Sequence, residues 1–169
     1  MKRGVFSTRF MAEAGIIAAL YFVLTVAVAP LAYGQMQIRI SEAMCVLPFF
    51  TPAAVPGLFV GCALANLFSP LGIWDVAFGS LATLIAALIT YRIKQKWLLP
   101  LPTIILNGLI IGAELTLLAA LPEFGFLPKD VYWVSAAYVA AGEAIATYAL
   151  GMPLFFLLNK HKDKLFQRR

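Results

Sequence analysis

Long apolar runs separated by short polar or basic stretches dominate this chain. The first run covers residues 10–31 and is long enough to cross the roughly 30 Å hydrocarbon core of a bilayer as an α-helix. Further apolar runs cover residues 40–50, 53–68, 75–91, 98–121 and 132–158. The pattern predicts one all-α integral membrane domain over residues 1–169, and the length leaves no room for a second domain.

The region 40–68 is ambiguous because Pro48, Pro52 and Pro56 interrupt it. It is either one kinked span or two short ones, and the positive-inside rule favours two. With two spans, all but two of the 13 basic residues face the cytoplasm. These are Lys2, Arg3, Arg9, Arg92, Lys94, Lys96, Lys160, Lys162, Lys164, Arg168 and Arg169, and only Arg39 and Lys129 face outside. We therefore predict a bundle of six transmembrane helices with both the N- and C-termini in the cytoplasm.

The run 40–50 is the difficulty for this topology. As an α-helix it would rise only about 16 Å, too little to cross a bilayer unaided. Either this helix begins earlier or it lies among other helices, where a thinner wall is tolerated. The external segment 32–39 that precedes it is long and polar enough to form a lid.

Composition agrees with a membrane protein and excludes several functions. The chain is 62% hydrophobic and 12% charged, against about 45–50% and about 25% in soluble domains. The net charge of +5 does not indicate a nucleic-acid partner, because the basic residues flank the spans. Cys45, Cys62 and His161 are too scattered for a metal site, and we predict no metal and no cofactor. A phosphate-binding loop and a GxSxG or HExxH motif are absent from the sequence, so we predict neither an enzyme nor an ATP-binding subunit.

Acidic residues inside the apolar runs are the strongest candidates for function. An ionised carboxylate at the centre of a membrane helix costs roughly 2.5–3.5 kcal/mol on insertion scales, so such groups usually have partners or a role. Asn107 lies seven residues before Glu114 and therefore on the same helix face. We expect a cavity open to the outside, with candidate residues Glu42, Asp75, Asn107, Glu114, Glu143 and Arg39.

Each acidic candidate also has a structural alternative. Asp75 follows a turn sequence and is able to cap a helix N-terminus. Glu42 has Arg39 three residues before it as a salt-bridge partner. Glu114 and Glu143 are alternatively protonated, hydrogen-bonded core residues. Glu13 lies beside Arg9 near the inner interface, and we interpret it as structural.

Small residues on the first helix form two pairs at a spacing of four, Ala14/Ala18 and Gly15/Ala19. Such pairs allow close helix contact, either inside the bundle or with a partner protein.

Two segments resemble the QueT family. Residues 37–66 read QIRISEAMCVLPFFTPAAVPGLFVGCALAN, residues 72–83 read GIWDVAFGSLAT, and Gly142-Glu143 lies in the last span. The resemblance implies an S component, the substrate-binding subunit of an energy-coupling factor (ECF) transporter in the cell membrane. It implies a substrate such as 7-aminomethyl-7-deazaguanine or queuine, and as partners a transmembrane coupling protein and two cytoplasmic ATPases. Ala14 and Ala18 match the small residues that contact the coupling protein in this class.

The chemistry of such a ligand agrees with the acidic candidates, because a carboxylate accepts adjacent ring N–H and amino donors. We expect Glu143 or Glu114 at the ring edge, Asp75 or Glu42 near a cationic tail, and Trp74 or Tyr138 stacked on the ring. The aromatic residues at external helix ends are alternatively an interfacial belt.

Other functions remain as alternatives. One is an S component for another vitamin. A self-sufficient secondary transporter would use its acids as proton relays, but it would more often show inverted repeats. A membrane-embedded enzyme is the least favoured alternative.

Overall fold

The computed structural model describes residues 7–34, 37–127, 129 and 131–162, and every regular element within them is helical. The predicted all-α class is confirmed. The basic residues at positions 2, 3, 164, 168 and 169 lie outside the described residues. The α-helices are α1 (Thr8–Val26), α2 (Ala29–Ala32), α3 (Ala54–Asn66), α4 (Ile73–Arg92), α5 (Leu101–Leu118), α6 (Tyr132–Ala144) and α7 (Met152–Lys160).

Three 3₁₀ helices and one π-helical turn lie between the α-helices of the described residues. A 3₁₀ helix covers Ile40–Phe49, and shorter ones cover Lys96–Leu98 and Pro122–Phe124. A π-helical turn, Ile145–Gly151, joins α6 to α7. Within the described residues, four helical stretches are long and apolar enough to cross a membrane, namely Thr8–Val26, Ile73–Arg92, Lys96–Leu118 and Tyr132–Lys160. The 3₁₀ helix Ile40–Phe49 and α3 are apolar but shorter.

Proline positions explain where the helices depart from the predicted runs. The first run was predicted to continue to residue 31, but α1 ends at Val26 and α2 begins at Ala29, with Pro30 in its first turn. Proline cannot donate a backbone hydrogen bond and fits best in the first turn of an α-helix. In the region 40–68, Pro52 lies in the break between the 3₁₀ helix and α3, so this region forms two helical elements, and their predicted role as two membrane spans stays a prediction.

The 3₁₀ helix is the central element of the bundle. It contacts α1, α3, α4, α7 and the π-helical turn, and eight of its ten residues are buried. A 3₁₀ helix rises about 2.0 Å per residue, so its ten residues extend about 20 Å. The prediction that this short segment lies among other helices is confirmed. In this position the segment is surrounded by protein and not by lipid.

The outer helices pack in chain order, α1 on α3, α3 on α4, α4 on α5 and α5 on α6. The α1–α3 contact is close because α3 presents glycine to α1. A Cβ added at Gly57 would lie 2.8 Å from the carbonyl oxygen of Ala14, and one at Gly61 would lie 2.7 Å from that of Ala18. The α1 backbone at Ala14 and Ala18 therefore packs against α3, with Ala18 buried and Ala14 half-buried, and the expected contact of this pair with a partner protein stays a prediction. Gly15 and Ala19, on the neighbouring face, are exposed.

Candidate functional site

A buried ion pair fixes the segment before the 3₁₀ helix to the start of α4. Arg39 is 2% exposed and Asp75 is fully buried. The Nη2 atom of Arg39 lies 3.4 and 3.3 Å from the two carboxylate oxygens of Asp75, and its Nε donates to the carbonyl oxygen of Ala32 at 3.3 Å. The Tyr33 ring lies 5.7 Å from the guanidinium carbon. The alternative that Asp75 caps α4 is wrong, because the N-cap residue is Gly72 and no side chain caps the helix.

Glu42 is hydrogen-bonded to Tyr21 and not paired with Arg39, the partner that its position in the sequence suggested. The Tyr21 hydroxyl donates to Oε1 of Glu42, and both side chains are buried. The alternative pairing of Glu42 with Arg39 is therefore wrong, since Asp75 is the ion-pair partner of Arg39. Sequence reasoning missed Tyr21, although it follows Ala14 and Ala18 at helical spacing on the face that packs inward.

Asn107 and Glu143 form the second polar pair, between α5 and the end of α6. The Nδ2 atom of Asn107 donates to Oε1 of Glu143 at 2.6 Å. The π-helical turn begins two residues later, and there the Thr147 hydroxyl donates to the carbonyl oxygen of Glu143 at 2.6 Å. Both Asn107 and Glu143 are buried, with exposed fractions of 3% and 1%.

Glu114 lies on the same buried face of α5 as Asn107, as their spacing predicted. It is 3% exposed, and neither carboxylate oxygen has a hydrogen-bond partner in the described chain. Glu114 thus differs from Asp75, Glu42 and Glu143, which all have a protein partner.

The buried atoms left without a partner are all of one chemical kind. Within the described residues they are five side-chain oxygens: Oδ1 of Asn66, Oδ1 of Asn107, both oxygens of Glu114 and Oε2 of Glu143. The two amide groups are oriented by their nitrogens, since Nδ2 of Asn66 donates to the Asp75 carbonyl oxygen at 2.8 Å and Nδ2 of Asn107 donates to Glu143. Buried polar atoms are nearly always hydrogen-bonded in native proteins. Buried acceptors without a protein partner suit a ligand that supplies several N–H donors.

A cavity of about 340 Å³ lies at the end of the bundle that the charge distribution predicts to be external. This is within the usual size range for small-molecule sites, about 300–1,000 Å³. Its lining comes from the segment before the 3₁₀ helix, the α3–α4 turn, α4, α5, α6 and the α5–α6 loop: Tyr33, Gly34, Gln37, Ser69, Pro70, Leu71, Asp75, Leu115, Phe126, Leu127 and Ser135. Tyr33, Gly34 and Gln37 belong to the segment expected to form a lid. Of the acidic residues predicted to line an outward cavity, Asp75 is in this lining, whereas Glu42, Glu114 and Glu143 are not.

The structure separates the predicted aromatic residues from this cavity. Trp74 and Tyr138 are 42% and 43% exposed and do not line it. Trp74 instead stacks on Phe78, with ring centroids 6.2 Å apart. The aromatic residues of the cavity are Tyr33 and Phe126, of which Phe126 was not predicted.

Sequence reasoning also missed the polar residues Gln37, Ser69 and Ser135, which line the cavity. Their signal in the sequence is weak, because single Ser and Gln residues are common at helix ends and in loops. Among the described residues no group of three or more His, Cys, Asp or Glu side chains is arranged to hold a metal ion.

Comparison with known proteins gives one family and one curated relative. The family model described as QueT transporter matches residues 11–160. A protein named queuosine precursor transporter QueT, from Lactococcus lactis subsp. cremoris (strain MG1363), is 35% identical over 72 residues. That match covers 41% of this chain and 42% of the relative, which is less than half of either. No solved structure matches the chain significantly.

Proposed function

This chain belongs to the QueT transporter family, and from that premise we propose that it binds a 7-deazaguanine precursor of queuosine for import. The observation that carries the proposal is the set of five buried acceptor oxygens that have no hydrogen-bond partner within the described part of the chain. A 7-deazaguanine has a ring N–H and an exocyclic amino group side by side, and a further N–H on its five-membered ring. Such a donor-rich heterocycle complements carboxylate and amide oxygens.

In this proposal the Asn107–Glu143 pair holds the donor edge of the ring. Asn107 fixes one carboxylate oxygen of Glu143, so the other oxygen and the Asn107 carbonyl present two acceptors with a defined separation. Hydrogen bonds to an ionised acceptor are about twice as strong as neutral ones. The outer cavity, lined by Tyr33, Asp75 and Phe126, is the entrance from outside.

We further propose that the protein is an S component in the cell membrane, with six crossings and cytoplasmic termini. Its partners are then a transmembrane coupling protein and two cytoplasmic ATPases, which supply the ATP hydrolysis for which this sequence has no phosphate loop. The coupling protein then contacts α1 at the predicted pair Ala14/Ala18, and the exposed small residues Gly15 and Ala19 extend this surface.

Titration calorimetry on the purified protein tests the substrate. We expect 7-deazaguanines to bind and riboflavin and thiamine not to bind. Binding of riboflavin or thiamine with no response to deazaguanines would identify an S component for another vitamin and contradict the proposal.

Co-purification tests the partners. An S component should be isolated from its native membrane together with ATPase subunits, and its uptake activity should depend on ATP. If the protein alone accumulates substrate in liposomes under a proton gradient, it is a secondary transporter and the partner proposal is wrong.

A further inference from the structure

The carboxyl groups of the site are not equally available to a ligand. Asp75 is already in an ion pair with Arg39, Glu42 accepts from Tyr21, and one oxygen of Glu143 accepts from Asn107. Glu114 is buried to the same extent, yet both of its oxygens lack a hydrogen-bond partner in the described chain. Among the described residues, the buried charged side chains are thus these four carboxyl groups and the guanidinium of Arg39.

From this asymmetry we propose that Glu114 is the counter-charge for a cationic group on the substrate. Resting on the proposed function, this means that the site selects a 7-deazaguanine with an aminomethyl arm over neutral 7-substituted analogues. Glu114 is then the residue that determines specificity for the arm, whereas Asn107 and Glu143 bind the ring edge that all these analogues share.

The positions of Asn107 and Glu114 along α5 agree with two separate subsites, one for the ring edge and one for the aminomethyl arm. Asn107 and Glu114 lie on one helix face two turns apart, about 10.5 Å along the axis, a distance comparable with a bicyclic ring carrying a one-carbon arm. Glu114 does not itself line the outer cavity, whereas Leu115, the next residue of α5, lines it together with Asp75. In this proposal a ring bound at Asn107 and Glu143 directs its arm along α5 toward Glu114.

Charge explains why Glu114, and not Asp75 or Glu42, takes this role. A substrate cation at Asp75 would have to compete with the Arg39 guanidinium for the same oxygens. A buried carboxylate without a partner is unfavourable, and pairing it with a cation offsets much of that cost. Ammonium–carboxylate hydrogen bonds are among the strongest available in a buried site.

The test compares two nearly isosteric ligands, 7-aminomethyl-7-deazaguanine and 7-hydroxymethyl-7-deazaguanine, by calorimetry on the full-length protein. Wild type should bind the amine at least about 30-fold more tightly, the usual size of a lost buried charge-assisted contact. Glu114→Gln should remove this preference by weakening amine binding while leaving hydroxymethyl binding little changed. Glu114→Asp keeps the charge and should keep the preference for the amine. Glu123→Gln removes an exposed carboxylate and serves as the matched control with wild-type behaviour.

The outcomes separate this inference from the proposed function. If wild type binds both ligands equally, the charge-selection inference is overturned while a deazaguanine transporter stands. This comparison needs no variant, so it tests charge selection by the site even if Glu114→Gln fails to fold. If Glu114→Gln weakens both ligands alike, Glu114 contacts the shared ring and the inference is again overturned. If neither ligand binds wild type, both the inference and the proposed substrate are wrong.

Discussion

The buried carboxyl groups of this bundle differ in the residues with which they form hydrogen bonds or ion pairs. Asp75 and Glu42 both lie at helix starts, yet Asp75 is in an ion pair and Glu42 accepts from a tyrosine hydroxyl. Removing one member of a buried ion pair leaves the other charge uncompensated, at a cost of about 3–5 kcal/mol. The Arg39–Asp75 pair therefore fixes the cavity wall formed by the segment before the 3₁₀ helix.

Glu143→Gln tests whether Glu143 binds the donor edge of the ring. The substitution keeps the shape but replaces one acceptor oxygen with a donor, which then faces the donors of the ligand. We expect a loss of about 2–5 kcal/mol, or roughly 30-fold or more in affinity, for every 7-deazaguanine tested. Titration calorimetry measures it.

Glu13→Gln is the control for Glu143→Gln. Glu13 accepts from Arg9 at 2.9 Å and from Thr51 at 3.0 Å, which are not residues of the site, so its substitution should leave affinity unchanged. Wild-type affinity in Glu143→Gln would contradict the assignment of the ring edge.

Among the helices, the α1–α3 contact depends most on residue size. Gly57 and Gly61 allow the α1 backbone to approach so closely that a Cβ at either position would meet a backbone oxygen of α1. A backbone oxygen within a helix cannot move aside without disturbing that helix. The contact also positions Tyr21, and with it Glu42.

Gly61→Ala should therefore destabilise the bundle by about 1–3 kcal/mol, the usual cost of overpacking. Its matched control is Gly15→Ala, because nothing lies within 4 Å of a Cβ at that position. Alanine favours a helix over glycine by about 1 kcal/mol, so Gly15→Ala should be neutral or slightly stabilising. Thermal unfolding in detergent compares the two variants, and equal melting temperatures would contradict the close α1–α3 contact.

For the whole molecule, orientation in the membrane is the property to test. The charge distribution predicts that Lys129 faces outside and Lys94 faces the cytoplasm, and both are exposed. An impermeant thiol reagent applied to intact cells should label Lys129→Cys and not Lys94→Cys. The native cysteines Cys45 and Cys62 are buried, so unmodified protein should stay unlabelled. External labelling at position 94 would refute the six-helix topology with cytoplasmic termini.

Much of the fold could be predicted from the sequence because a bilayer imposes simple demands. Backbone groups in hydrocarbon must be hydrogen-bonded within the chain, so long apolar runs predict helices. The same demand makes charged residues inside these runs conspicuous, and Asp75, Glu114 and Glu143 are buried as expected. Helical periodicity placed Asn107 and Glu114 on one face, and two segments identified the family.

The pairing of side chains, in contrast, was decided only by the tertiary structure. Arg39 has Glu42 three residues away in sequence but pairs with Asp75, 36 residues away, because the 3₁₀ helix lies at the centre of the bundle beside α4. Trp74 directly precedes Asp75 yet faces outward, since neighbouring residues on a helix point in directions about 100° apart. Sequence periodicity determines which residues share a face of one helix, whereas the packing of several helices determines what that face meets. For this reason Ala14 and Ala18 contact α3, and Glu114 is the buried carboxyl group left without a protein partner among the described residues.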